Sequence, residues 1–305
     1  MFVKNRRSNL RGGVALIAVA AMLLTTSACG NDSSSASQTT TDQSAPLYEK
    51  LPASVKKAGE IVVASPMSNA PYIYTESDGK TTKGIVPELA KALEPVLGVK
   101  FRFVNTPFPG LIPGLQAQKF DMIWGVVTDT KEREKIIDFV DYQKDGATFL
   151  VRAGNPKNIS DMMSICGNKI SSLSGSTQTK LLEKESENCV AAGKPPMEIK
   201  LYDGAAESQL AVQSGNADVF FTGLGAGLYA ESTAPEKFKV VGDVYQDQLF
   251  GAGFAKSNTE LRDVFQSGVK KLVDDGSYLE VFKQGGLERL ALSGSSDVTV
   301  NGAAE

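Results

Sequence analysis

The sequence contains no histidine and a single tryptophan among its 305 residues. The absence of imidazole excludes a Ser–His–Asp triad, a Cys–His nucleophile pair and nearly every type of zinc site, because each depends on a histidine side chain. Cations are not in excess either, since 32 lysine and arginine residues stand against 35 aspartate and glutamate residues. We therefore expect no metal ion, no cofactor and no nucleic-acid partner.

The apolar run near the N-terminus, residues 12–24, is too short to span a membrane as a helix, which takes about 20 residues. The basic residues Lys4, Arg6, Arg7 and Arg11 precede it. This arrangement is typical of a secretory signal peptide. The small residues before Cys29, in TTSACG, resemble a bacterial lipobox, although Thr26 stands where a leucine is usual. In a lipobox the cysteine is lipidated and becomes the mature N-terminus.

Two interpretations of this N-terminus remain open. Lipidation would end the signal peptide at residues 1–29 and anchor Cys29 to the outer face of the cytoplasmic membrane, whereas ordinary secretory cleavage would leave a free cysteine. The segment NRRSNLR also weakly resembles a twin-arginine signal, so the export route stays open. We expect lipidation, because the cysteine stands where small residues mark a cleavage site. Residues 30–46 are small and polar, which predicts a flexible tether.

The chain has only three cysteines, and lipidation of Cys29 leaves Cys166 and Cys189. Disulfides persist outside the cytoplasm, so we expect these two to pair rather than to remain buried free thiols. Closing a loop of this size stabilises a fold by roughly 3 kcal/mol in the chain-entropy treatment.

Strand-like and helix-like segments alternate from residue 47 onwards. EIVVAS and VKFRFVN indicate strands, and the leucine spacing in GIVPELAKALEPVLG indicates a helix between them. A second series of the same kind begins at KISSLSG. Such alternation is typical of the α/β class with parallel strands, and the two series predict two lobes. The polar tail, residues 293–305, is predicted to be disordered.

Several segments, taken in order, resemble the amino-acid-binding group (family 3) of the extracytoplasmic solute-binding proteins of ABC importers. They are GLIPGLQAQKFDMIWG, TDTKEREKIIDFVDYQKDG, SLSGSTQ, LAVQSGNADVFF and DDGSYLEVFKQGG. The resemblance implies a periplasmic-binding-protein-like fold of type II, with two α/β lobes joined by two crossover strands. Lobe 1 is expected at 47–152 plus 250–292 and lobe 2 at 155–247, with crossings near 152–156 and 248–253.

The same resemblance implies a monomeric receptor that captures an amino acid or related small carboxylate between its lobes for a membrane ABC permease. It implies binding without catalysis. Two alternatives share the scaffold: an exported enzyme of the cyclohexadienyl-dehydratase or peptidoglycan-cleaving kind, and a sensor that binds without transport. An enzyme would need a catalytic carboxylate in the cleft, and no acid lies at the positions that the resemblance maps there.

Arg133 is the leading candidate for the ligand site, since a guanidinium can hold a carboxylate through two parallel hydrogen bonds. Thr128 adds a hydroxyl, and Asp129 or Thr130 can cap the helix that contains Arg133. Taken alone, these residues could equally form an ordinary helix cap with a solvent-facing arginine, but the resemblance favours a carboxylate site. It also assigns ligand contacts to Asn69, Phe108, Gly125, Val126, Ser176, Thr177, Thr222 and Gly223. For Phe108, burial in the core is the competing interpretation.

One position departs from the family pattern. Where the family has an acidic residue that pairs with the α-ammonium group of the ligand, this chain has Gly223, directly after Thr222. A buried ammonium group without a counter-charge is costly. Either another acid substitutes, such as Asp203 or Glu207, or the ligand lacks the ammonium group.

Overall fold

One mixed sheet of eight strands runs through residues 41–304, the part of the chain that the computed structural model describes (the side chains of residues 246 and 247 excepted). Its strands, in spatial order, are β5 (Lys100–Asn105), β1 (Glu60–Ser65), β6 (Met122–Ile123), β11 (Phe238–Ala255), β7 (Ile137–Arg152), β10 (Val219–Gly223), β8 (Lys169–Leu173) and β9 (Glu198–Tyr202). A small antiparallel sheet consists of β2 (Ser68–Asn69), β3 (Ile73–Thr75) and β4 (Thr82–Lys83). The predicted α/β class with two lobes is confirmed.

The α-helices within the same residues are α1 (Ala53–Ala58), α2 (Ile85–Leu97), α3 (Leu111–Gln116), α4 (Lys131–Glu134), α5 (Thr177–Ala191), α6 (Ala205–Ser214), α7 (Leu224–Thr233), α8 (Thr259–Asp274) and α9 (Ser277–Gln284). Helix α2 confirms the helix predicted from its leucine spacing, and it continues past Pro95 before it ends. None of the helices that the structure describes is both long and apolar enough to cross a membrane.

In lobe 1, β1 pairs in parallel with β5 and β6, and β6 pairs antiparallel with β11. The leucines that predicted α2 are buried against this sheet, because their spacing places them on one face of the helix. Trp124, at the end of β6, is fully buried, and the Phe265 ring of α8 lies edge-on to it at 4.9 Å between centroids. The single tryptophan is therefore a core residue.

In lobe 2, β8 lies in parallel between β9 and β10, and β10 pairs antiparallel with β7. The predicted disulfide is confirmed: Cys166 and Cys189 are joined, and they connect the segment before β8 to the last turn of α5. Cys189 is completely buried within the lobe 2 core.

The two crossings between the lobes lie within β7 and β11, which run side by side in antiparallel pairing. Residues 137–143 of β7 pair with the lobe 1 end of β11, and residues 147–151 pair with β10 of lobe 2. The expected crossing at 152–156 was therefore wrong, because β7 has already entered the lobe 2 sheet there. The register of the β7–β11 pair shifts between Val241 and Gly251. This irregular ladder is the place where the pair can bend.

The expectation of a disordered tail was wrong for residues 293–304. Val300 forms a bridge to Val140 of β7, and Val298 is completely buried. The Asn301 side chain donates to Asp138 at 3.0 Å, and the Gly302 N–H donates to Asp141 at 3.1 Å. The tail is ordered because its donors satisfy carboxylates that lobe 1 leaves at its surface.

The flexible tether predicted for residues 30–46 is described only from residue 41 onwards, and this part packs against lobe 1. The Asp42 N–H donates to the Gly98 carbonyl at 2.9 Å, and Ala45 is buried against lobe 1. The rest of the tether, the signal peptide and Cys29 lie outside the described residues.

The ordered tail covers two facing carboxyl groups, Asp129 and Asp141, which are 4% and 0% exposed. Burial raises the pKa of both. Their Oδ1 atoms have no hydrogen-bond partner in the described part of the chain. We infer that one proton is shared between the two carboxyl groups, because it would satisfy both oxygens; the folded protein then holds a proton that the unfolded chain releases at a lower pH.

We expect wild-type stability to fall as the pH rises from about 4, the ordinary carboxyl pKa, towards the raised pKa of the pair, since the folded state binds more protons over that range. Asp129→Asn replaces the shared proton with an amide donor. It should flatten this slope and raise the free energy of unfolding at mildly alkaline pH by on the order of 1 kcal/mol. Urea denaturation across the pH range measures the slope, with exposed Asp274→Asn as the control. Equal slopes for Asp129→Asn and wild type would contradict the shared proton.

Candidate functional site

A cavity lies between the two lobes, beside the crossings in β7 and β11. Eight of the ten predicted ligand residues line it: Asn69, Phe108, Val126, Thr128, Ser176, Thr177, Thr222 and Gly223. Its volume is about 30 Å³, room for roughly two water molecules. The lobes must therefore separate to admit a solute of amino-acid size.

Arg133 does not itself line the cavity, but it connects the two lobes beside it through the cavity residue Thr128 and through Gly175. Its Nη1 donates to the Thr128 carbonyl at 2.8 Å in lobe 1, and its Nη2 donates to the Gly175 carbonyl at 2.9 Å in lobe 2. The guanidinium lies 5.6 Å from the ring centroid of Phe108, within cation–π range. Burial lowers the pKa of Arg133, although an arginine still keeps its charge. Both of its acceptors are neutral, so within the described residues no bonded carboxylate compensates this charge.

Thr130 fixes the backbone conformation around Arg133. It is the N-cap of α4, and its Oγ1 accepts the Arg133 N–H at 3.2 Å. Asp129, the other possible cap, instead accepts the Ala303 N–H of the tail. Helix α4 is only four residues long, so its dipole adds little and the attraction for an anion rests on the guanidinium itself.

Lobe 2 contributes the turn that begins α5. Ser176 caps this helix, with its Oγ accepting the Thr179 N–H at 3.1 Å. Thr177 Oγ1 lies 3.4 Å from Thr128 Oγ1, so hydroxyl groups from both lobes meet at the cavity. Gly175, whose carbonyl accepts a hydrogen bond from Arg133, has a φ of +74°. This left-handed conformation favours glycine.

Phe108 fulfils both of the interpretations left open for it, since it lines the cavity and also belongs to a buried apolar cluster of lobe 1. Gly125 does not line the cavity. Its carbonyl accepts the Tyr142 hydroxyl at 2.6 Å, and a Cβ atom there would lie 2.5 Å from Ser65 Oγ. Gly125 therefore lies behind the cavity wall, where close packing requires a glycine.

Half of the residues that line the cavity escaped the sequence analysis, and among them are Tyr72 and Asp145. Asp145 lies in β7 where it crosses between the lobes, and it is only 3% exposed. Its carboxylate accepts the Tyr72 hydroxyl at 2.8 Å and the N–H groups of Gly146 at 2.8 Å and Gly225 at 3.4 Å. Burial raises the pKa of Asp145 to about 6. No acid lies at the positions that the resemblance maps to the cleft, but β7 brings Asp145 to it from a position that the resemblance did not map.

Asp203 and Glu207, the acids considered as substitutes at the cleft, are exposed and do not line the cavity. The sequence feature that could have pointed to an acid elsewhere in the cleft was Gly223 itself. A Cβ atom at Gly223 would lie 2.6 Å from Asp145 Oδ2, so the glycine leaves space that the aspartate fills.

Comparison with known proteins agrees with the fold. The profile of the bacterial extracellular solute-binding proteins, family 3, matches residues 61–284. The arginine-binding protein ArgT of Corynebacterium glutamicum is 25% identical over 239 residues, which cover 78% of each chain.

Two solved structures of ancestral proteins are similar to this chain. An ancestral arginine-binding protein bound to arginine is 28% identical, with a TM-score of 0.68 over 74% of this chain and 97% of that one. The ancestral amino-acid-binding protein AncCDT-1, a precursor of cyclohexadienyl dehydratase, is also 28% identical, with a TM-score of 0.68 over 76% of this chain and 97% of that one. Because the family profile covers well over half of the sequence, the chain belongs to the bacterial extracellular solute-binding proteins of family 3.

Proposed function

We propose that the protein captures an amino acid or a related small carboxylate in the cleft between its lobes and presents it to a membrane ABC permease. The observation that carries this proposal is the position of Arg133, whose charge lies between the lobes and is bonded, among the residues that the structure describes, only to the carbonyls of Thr128 and Gly175. A ligand carboxylate supplies the counter-charge that this partly buried guanidinium lacks.

Ligand capture requires the closed form to bind the solute better than the open form does. Arg133 and Thr128 belong to lobe 1, whereas Ser176 and Thr177 belong to lobe 2, so a carboxylate that reaches both groups favours closure. The exposed ion pair of Glu132 with Lys180 across the cleft contributes little to closure. A bound carboxylate adds to the contact that Arg133 already makes with Gly175 of lobe 2.

The remaining parts of the proposal concern location and partner. The basic and apolar N-terminus and the small residues before Cys29 support export followed by lipid anchoring at that cysteine. Membership of an extracellular family supports a location of the protein outside the cytoplasm. Relatives named for arginine binding support an amino acid as the ligand, and the resemblance of the sequence to receptors of ABC importers supports a permease as the receiver.

A thermal-shift screen of the common L-amino acids and other small carboxylates tests this function. A solute that binds only the folded protein stabilises it by about 2.7 kcal/mol at a concentration one hundred times its Kd. We expect at least one of these solutes to raise the melting temperature clearly at millimolar concentration, and neutral sugars to leave it unchanged. If no carboxylate in the panel raised the melting temperature, the proposed function would be wrong.

One observation favours a second candidate function, an enzyme on the same scaffold. Asp145 is a buried acid that lines the cleft, and burial raises its pKa to about 6, within the range useful for proton transfer. The similarity to a precursor of cyclohexadienyl dehydratase points the same way. Formation of an aromatic product from a cyclohexadienyl acid by the purified protein would support this candidate.

A further inference from the structure

The carboxylate of Asp145 is surrounded by neutral groups, although it lines the cavity. Within the described residues, its hydrogen-bond donors are a phenol and backbone N–H groups. Lys144 and Arg289 border a wider groove that also reaches Asp145, but neither forms an ion pair with it in the part of the chain that the structure describes. A buried carboxylate without a cation is costly, so its retention needs an explanation.

A purely structural role explains part of this arrangement. The Gly225 N–H lies in the first turn of α7, and a carboxylate that accepts it there complements the helix dipole. A neutral amide oxygen would accept the same hydrogen bonds from Tyr72 and Gly225, however. The structural role therefore explains an acceptor at residue 145 but does not explain a charge.

The residues around Asp145 leave it access to the cavity. Gly223 has no side chain that could cover the carboxylate. A Cβ atom at this position would lie 2.6 Å from Asp145 Oδ2, too close for both atoms to fit. Thr128, which bonds Arg133 through its carbonyl, lines the same cavity as Asp145. One small cavity is thus bordered by a guanidinium at its edge and by a carboxylate in its wall.

We infer that Asp145 binds the ammonium group of the ligand, in place of an acid at position 223, so that the solute is a zwitterionic α-amino acid rather than a simple carboxylate. This inference rests on the proposed function and specifies its substrate class. Each of the two charges beside the cavity then meets an opposite charge of the ligand: Arg133 faces the carboxylate and Asp145 faces the ammonium group. Specificity follows from Asp145, since a ligand without the ammonium group leaves it unpaired.

Two ligand pools test the inference: the common L-amino acids, and the 2-hydroxy acids with the same side chains. We expect the amino-acid pool to raise the melting temperature of wild-type protein and the hydroxy-acid pool to have little effect. Equal stabilisation by both pools, or stabilisation by the hydroxy acids alone, would overturn the inference and leave the proposed function intact. If neither pool stabilised the protein, both would fail.

Asp145→Asn separates the charge from the hydrogen-bonding role, because the amide keeps an acceptor oxygen of similar size. Calorimetric titration should show that its affinity for the best amino acid falls by roughly a hundredfold or more, whereas its affinity for the matching hydroxy acid hardly changes. A purely structural role would weaken both ligands equally, and that result would overturn the inference. Asp203→Asn, an exposed acid outside the cavity, is the matched control and should bind like wild type.

A relocated acid provides a second test that does not depend on one substitution. Asp145→Ala should lose amino-acid binding, and Gly223→Asp in that background should restore part of it, since the alanine frees the space that the new side chain enters. Far-ultraviolet circular dichroism and the melting temperature establish that each variant is folded. Folded double variants that bind no better than Asp145→Ala would count against an ammonium subsite at this position.

Discussion

Arg133→Ala lowers the affinity for the amino acid by about a hundredfold or more, because it removes a charge-assisted pair from a site that excludes most water. The melting temperature of the ligand-free protein should change little. In that state the guanidinium bonds the Thr128 and Gly175 carbonyls and, within the described residues, no carboxylate, so removing a poorly compensated and partly buried charge offsets the loss of those two bonds. Isothermal titration calorimetry and thermal denaturation measure the two effects.

The controls distinguish the shape of the side chain from its charge. Arg133→Lys keeps a cation but loses the planar pair of donors, so it should recover only part of the affinity. Arg102→Ala removes an exposed lobe 1 arginine paired with Glu60 and should bind like wild type. Binding by Arg133→Ala at wild-type affinity would contradict the site assignment.

Replacement of both Cys166 and Cys189 by alanine lowers the free energy of unfolding by roughly 3 kcal/mol, as expected for a cross-link between residues 23 positions apart. The effect arises mainly because the unfolded chain regains the freedom that the closed loop removed. Urea denaturation of the double variant, and of wild-type protein in the presence of a reductant, should give the same loss.

This disulfide also connects stability to the site. Cys189 lies in the last turn of α5, and the first turn of that helix carries Thr177 of the cavity. We expect the affinity of the double variant for its ligand to fall only slightly at a temperature where it remains folded, because the Ser176 cap fixes the turn locally. A loss of stability below about 1 kcal/mol would contradict the assigned role of the cross-link.

The sequence alone indicated those features that depend on local pattern. The leucine spacing of α2, the alternation of strands with helices, and the grouping of Arg133 with Thr128 each occupy a short segment, so their geometry follows from the spacing of neighbouring residues. The arginine and the threonine do adjoin a cleft between two lobes.

Features that depend on distant residues were missed. Asp145 reaches the cavity only because β7 crosses between the lobes at 143–147 rather than at 152–156 and because Gly223, far along the chain, leaves space for it. The polar composition of the tail predicted disorder. The tail is ordered because the buried carboxylates of Asp138 and Asp141 accept its hydrogen bonds. Neither outcome follows from the composition of the segment itself, since each is fixed by a partner more than seventy residues away.

The most direct test of the central claim is a crystal structure of the protein saturated with the amino acid that stabilises it best. We predict that the ligand lies between the lobes, with its carboxylate about 3 Å from the Arg133 guanidinium and its ammonium group at a similar distance from Asp145. A ligand bound elsewhere, or an Arg133 side chain directed into solvent while the cleft is occupied, would contradict the account.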